Sequence, residues 1–249
     1  MADYLLEAEH LHHDYGGVTA LVDLSLAIEA NEVLGVIGPN GSGKTTMLNV
    51  ISRIVPLMKG DVRLAGASYR SAPPWRLTEL GIARTFQHLR MFEDMTVLEN
   101  VCLSLENCRS RRLIRRPARE RHIRAAALDL LREAGLAELS GWLPRRLPYG
   151  VQRQVEVVRA LATSPRVLLL DEPFAGMSQD EAAALTALID KARERSEMGV
   201  VIVDHDMPSL TRVSTRMMAM VLGQVLTTGA PREVLSHPEV IDAYVGVHE

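Results

Sequence analysis

The chain has 249 residues, 47% of them hydrophobic and 24% charged, which is long and apolar enough for a sizeable core and excludes intrinsic disorder. Its 28 basic and 31 acidic residues leave a net charge of −3, which argues against a general nucleic-acid binder. Its two cysteines, Cys102 and Cys108, supply neither a disulfide scaffold nor a Cys-rich zinc site.

The first 66 residues read mainly as strands and turns. Leu24, Leu26 and Ile28 alternate, and Val33 to Ile37 is a short buried strand. Gly38 to Gly43 is a glycine-rich turn. After it, Met47, Leu48, Ile51, Ile54 and Val55 recur at helical spacing, which predicts a helix up to Pro56. Gly60 turns the chain into a strand carrying Val62 and Leu64. From about Thr96 to Thr163 the pattern is helical. Thr96 and Glu99 have capping-box spacing ahead of Val97, Leu98, Val101 and Leu105. Ile123 to Ala134 forms a second helix closed by Gly135, and Val151 to Ala162 a third. In the last third, Val167 to Leu170 and Val200 to Val203 are strands. Between them lies a helix capped by Ser178 and Glu181 and expected to end at Gly199. Strands alternating with amphipathic helices predict an α/β domain with a parallel sheet. The expected layout is one domain over 1–249, with an α/β core of 1–87 and 164–249 and a helical insertion at 88–163.

The sharpest motif is Gly38-Pro39-Asn40-Gly41-Ser42-Gly43-Lys44-Thr45, which satisfies G-x-x-x-x-G-K-[ST] between a predicted strand and a predicted helix. Glycines let backbone N–H groups converge on phosphate oxygens, and the helix adds its positive end. Lys44 is expected at the terminal phosphates and Thr45 at a magnesium ion, with Thr46 beside it in the first turn. Four apolar residues followed by Asp171 and Glu172 place two carboxylates at the end of a buried strand, where ligands sit in an open parallel sheet. Asp171 suits Mg²⁺ held through water, and Glu172 suits a base acting on attacking water. His205 follows the strand Val200 to Val203 and reaches the same edge, where it can sense a γ-phosphate. His10, His12 and His13 come with no carboxylate or Cys pattern for a metal and read as surface residues.

Together these pieces resemble the nucleotide-binding subunit of an ABC transporter, along nearly the whole chain. The resemblance implies a RecA-like phosphate-loop core, an N-terminal antiparallel β subdomain and an inserted helical subdomain. It implies that Tyr15 stacks on adenine. Gln87, in Gly81-Ile82-Ala83-Arg84-Thr85-Phe86-Gln87, matches the glutamine that touches metal and water and hinges the helical part. Leu147-Pro148-Tyr149-Gly150-Val151-Gln152 stands where that family carries L-S-G-G-Q, so Gly150 is expected to meet a neighbour's nucleotide. Pro148 departs from the family serine, Tyr149 from a glycine, and Ser178 from the aspartate of the following D-loop. These departures imply slower hydrolysis or unequal sites, not an inactive subunit.

Within that family, ARTFQHLRMFEDMTVLENV, LPYG and HPEVIDAYVG resemble the ATPases of branched-chain amino acid importers, with urea and amide importers similar. This implies ATP and Mg²⁺ as ligands. The implied partners are a second ATPase subunit, membrane permease subunits and, indirectly, an extracytoplasmic solute-binding protein, with no nucleic acid. The place implied is the cytoplasmic face of the membrane, since no stretch is apolar enough to span it and the N-terminus lacks a secretory signal. An exporter ATPase, a soluble phosphate-loop kinase and a non-hydrolysing regulatory module are the competing readings; a kinase needs neither the Gln87 nor the LPYG match. Arg109, Arg111, Arg112, Arg115, Arg116, Arg119, Arg121 and Arg124 form a basic run, read as a solvated face, with anionic lipid or an acidic membrane subunit as the sharper reading.

Overall fold

The computed structural model describes residues 4–109 and 117–245, with side chains at 4–106 and 119–244. Arg111 to Arg116 of the basic run lie outside the described residues.

Two sheets share the chain. Strands β1 (Leu6–Tyr15) and β2 (Val18–Ile28) form an antiparallel hairpin, and β3 (Val33–Ile37) leads into helix α1 (Lys44–Ile51). Strands β4 (Lys59–Leu64) and β5 (Ala67–Ser68) complete a four-stranded antiparallel sheet of order β2-β1-β4-β5. A short helix α2 (Leu77–Leu80) precedes β6 (Ile82–Arg84). Three helices follow: α3 (Val97–Arg109), α4 (Pro117–Glu133) and α5 (Tyr149–Leu161). Then come β7 (Val167–Asp171), α6 (Gln179–Ser196), β8 (Gly199–Val203), α7 (Met207–Val213), β9 (Arg216–Val221) and β10 (Gln224–Gly229). Helices α8 (Pro231–Leu235) and α9 (Pro238–Val245) close the described chain.

The second sheet has the order β10-β9-β3-β8-β7-β6, parallel throughout except for β10. Its inner strands β3, β7 and β8 are buried on both faces, so their side chains alternate between two cores. Leu168, Leu170, Val200 and Ile202 join the cluster shared with α3 to α6, while Val167, Leu169, Val201 and Val203 join the one shared with α1 and the antiparallel sheet. This is why these strands read as unbroken apolar runs.

Local chemistry sets most element ends. The Thr96–Glu99 capping box forms, with Thr96 N–H donating to Glu99 Oε2 at 2.7 Å and Glu99 N–H to Thr96 Oγ1 at 3.2 Å. Gly135 closes α4 at φ +72°. Three expectations are corrected. Helix α1 ends at Ile51, short of Pro56, because Arg53 turns left-handed at φ +56° and the Ser52 hydroxyl bonds back to the Leu48 carbonyl at 2.6 Å. Helix α6 is ended by Glu197 at φ +51°, and Gly199 instead opens β8. His13 is only 5% exposed and is no surface residue: register irregularities in β1, with His10 at φ +51°, shift the strand's alternation and turn His13 inward.

Candidate active site

Parallel register assembles the site. Val36 of β3 pairs with Val203 of β8, and Val203 pairs with Asp171 of β7, so three strand ends stop at one level. At about 4.8 Å per strand, Asp171 stands roughly 10 Å from the start of the glycine loop, a gap suited to a phosphate chain and an ion.

The loop is shaped by its glycines. Gly43 caps α1 at φ +98°, where a Cβ would lie 2.5 Å from the Ala20 carbonyl oxygen. Only glycine fits both demands. Helix α1 has no side-chain cap and no acid in its first turn, so its first N–H groups face outward with their positive end unopposed. Lys44 folds back over the loop, donating to the carbonyls of Gly38 at 2.6 Å and Pro39 at 2.9 Å. Burial lowers its pKa, while the Glu172 and Asp171 carboxylates pull it back up. Asn40, Gly41 and Thr45 lie exposed on the loop and helix start, Thr46 is half-buried, and Ser42 is buried beneath them.

At the acid edge, Asp171 Oδ2 accepts from Arg84 Nη2 at 3.1 Å, a pair of which only 2% and 6% of the side chains is exposed. Asp171 Oδ1 is buried with no partner among the described residues. Burial raises the Asp171 pKa and the Arg84 guanidinium opposes it. Glu172 sits at φ +50°, a strained backbone for a non-glycine residue, held by its N–H donating to the Val203 carbonyl at 2.7 Å. Its Oε2 accepts from Gln87 Nε2 at 3.2 Å and lies 4.0 Å from His205 Nδ1. The structure thus brings Gln87, Glu172 and His205 together, with Lys44 within their electrostatic reach.

Tyr15 stands apart from this cluster. It is 47% exposed, meets the edge of His13 at 4.5 Å, and pairs with Val18, two residues from the Ala20 carbonyl that abuts Gly43. Gly150 is not brought to this chain's own loop. It packs on the start of α6, where a Cβ would lie 2.4 Å from Glu181 Oε1.

Magnesium takes oxygen ligands. The buried Asp171 Oδ1, without a partner among the described residues, the exposed Thr45 hydroxyl and the Gln87 side-chain oxygen are donors of that kind. The residues therefore fit the ion.

Three contributors escaped the sequence reading. Arg84 neutralises Asp171. Buried Asp204 accepts N–H bonds from His205 at 2.7 Å, Asp206 at 2.9 Å and Phe174 at 2.9 Å, tying the His205 turn to the segment after Glu172. Buried Arg153 of α5 donates to the carbonyls of Phe86, at 2.7 Å, and Gln87, and to Tyr149 Oη at 2.8 Å, clamping the Gln87 segment to the signature helix. An acid beside His205 and an arginine beside the signature were the available signals, but their partners lie far off in sequence.

A parallel sheet whose strand ends carry a G-x-x-x-x-G-K-T loop, paired acids and a histidine defines a phosphate-loop nucleoside triphosphatase. The family model described as ABC transporter matches residues 21–175, and that of the branched-chain amino acid ATP-binding cassette transporter matches residues 224–249. The chain belongs to the ABC transporter family, as an ATP-binding cassette subunit with ATPase chemistry. It is 34% identical to the high-affinity branched-chain amino acid transport ATP-binding protein of Pseudomonas aeruginosa, across 99% of both chains. Among solved structures, it is similar to the ADP conformation of an ABC transporter cassette, with TM-score 0.86 and 27% identity over 98% of this chain and 99% of that one. It is also similar to a dimeric cassette in a post-hydrolysis state bound to ADP and phosphate, with TM-score 0.79 and 27% identity over 91% of this chain and 99% of that one. No helix among the described residues is long and apolar enough to cross a membrane.

Proposed function

We propose that this chain hydrolyses ATP to power uptake of branched-chain amino acids, as one of two ATPase subunits bound to permease subunits at the cytoplasmic face of the membrane. A solute-binding protein outside would deliver the substrate. Full-length similarity to a branched-chain amino acid transport protein supports the solute, and the buried, half-paired Asp171 carboxylate beside Glu172 and Lys44 supports the chemistry.

In this reading the loop from Gly38 to Gly43 wraps the phosphates, Lys44 exchanges the Gly38 and Pro39 carbonyls for phosphate oxygens, and Tyr15 stacks on the adenine. Thr45, Asp171 and Gln87 hold magnesium, which neutralises charge on the phosphates when bound. Glu172 takes the proton of the attacking water as the γ-phosphate bond breaks, giving ADP and phosphate. Gln87 orients Glu172, and His205 contacts the γ-phosphate. The Gly150 segment of a second subunit closes the site, and the helical part, 88–163, passes the change to the permease through the Arg153 clamp on Gln87.

The test is purification of the tagged chain from solubilised membranes, followed by uptake into vesicles rebuilt from what remains bound. Expected are two permease subunits and ATP-driven entry of labelled leucine, isoleucine or valine. Stable association with export components, or uptake of another solute only, would overturn the proposal.

A further inference from the structure

The C-terminal helix reaches back to the phosphate loop. Val240 of α9 is 3% exposed and lies in the same apolar cluster as Val33 and Ile37 of β3. This anchor sets the half-buried Tyr244 beside the loop, where its hydroxyl accepts a hydrogen bond from the Gly38 N–H at 2.7 Å. The pairing of β3 with β9 ends at Ile37, so Gly38 has left the ladder and its N–H would otherwise lack a strand partner. The carbonyl of the same residue accepts from Lys44 Nζ at 2.6 Å. One residue therefore stands between the Tyr244 hydroxyl and the phosphate-binding lysine. Gly38 is also hemmed in from other sides, since a Cβ there would meet the Met220 carbonyl oxygen at 2.2 Å and Ser42 Oγ at 2.6 Å.

We propose that Tyr244 is a positioning residue for ATP binding: through Gly38 its hydroxyl holds the first turn of the phosphate loop in the shape that Lys44 needs, so α9 and the nucleotide site form one coupled unit. The inference rests on the reading of the loop as the ATP site. A loop that spends part of its time unlatched binds more weakly by the fraction of time it is competent. Coupling is reciprocal, so nucleotide in the loop must also steady α9.

The test compares the parental protein, Tyr244→Phe and Tyr244→Ala for retention of labelled ATP with magnesium, for kcat and KM, and for amide exchange across residues 238–244 with and without ATP. Removing only the hydroxyl is expected to raise the dissociation constant and KM about tenfold, the usual effect of one unsatisfied buried donor, with kcat changing less. ATP is expected to slow exchange in α9 of the parental protein and not of Tyr244→Phe. If Tyr244→Phe binds ATP like the parent while Tyr244→Ala binds weakly, the ring only packs and the proposal falls. It falls equally if ATP leaves α9 exchange unchanged. Failure of the parental protein to retain ATP would instead overturn the loop reading together with this one, which separates the two failures.

Discussion

The two helix starts that meet at Glu181 are built on opposite principles. Helix α6 is closed within the chain. Ser178 Oγ accepts from the Glu181 N–H at 3.3 Å, and Glu181 Oε2 accepts from the Ser178 N–H at 2.8 Å. Helix α5 opens after Pro148 with no side-chain cap, and presses Gly150 against that same glutamate. One start has a first-turn donor satisfied by its own capping side chain, while the other has no side-chain cap for its first-turn donors. Ser178 in place of an aspartate therefore keeps a structural cap, and Pro148 in place of a serine leaves a helix start without a side-chain cap. In the proposed function, the phosphate edge and the signature segment are two half-sites that serve different subunits.

That contrast can be broken by substitution. Glu172→Gln removes the proposed base and is expected to cut phosphate release about 10²–10⁴-fold while ATP is retained. Turnover at the parental rate would remove Glu172 from the chemistry. Arg84→Ala leaves Asp171 buried and unpaired, and is expected to cost about 3–5 kcal/mol in urea unfolding at neutral pH. Burial already holds the Asp171 pKa above its ordinary value of 3.8, and losing Arg84 raises it further. A carboxyl with a raised folded-state pKa favours the folded state when protonated, so the deficit should shrink as pH falls toward that value and grow as pH rises. An equal deficit at all pH values would place the damage elsewhere.

Gly150→Ala drives a methyl into the Glu181 carboxylate, which the α6 cap holds in place, and is expected to displace the open helix start. Turnover in the assembled pair should fall about 10²–10³-fold, the usual effect of losing a phosphate-facing donor, with ATP retention by the single chain intact. Loss of retention as well would refute the division into half-sites. Smallest is the cap itself. Ser178→Ala should lower stability by about 1 kcal/mol, whereas Pro148→Ala removes no capping bond and should cost less, a difference that urea midpoints resolve.

Much of this was legible from local chemistry. The glycine loop between β3 and α1, both capping boxes and the Gly135 stop depend on residues a few positions apart, and each formed as its spacing implied. Strand β9, rich in methionine, carried weak strand signal, and the irregularities of β1 hid its alternation and the inward turn of His13. The Arg153 clamp spans 66 residues to the Gln87 carbonyl, and the Tyr244 latch spans 206. No pattern within a window marks such pairs.

The sequence alone determined that a phosphate-binding loop, two strand-end acids and a histidine exist, because backbone freedom at glycine and the burial of apolar runs are local properties. Only the tertiary structure decided which acid is neutralised by an arginine, which helix start Gly150 packs against, and which tyrosine hydrogen-bonds the loop. Those depend on strand order and on which donors are left unsatisfied once the sheet has closed, and both are settled by packing between residues far apart in the chain.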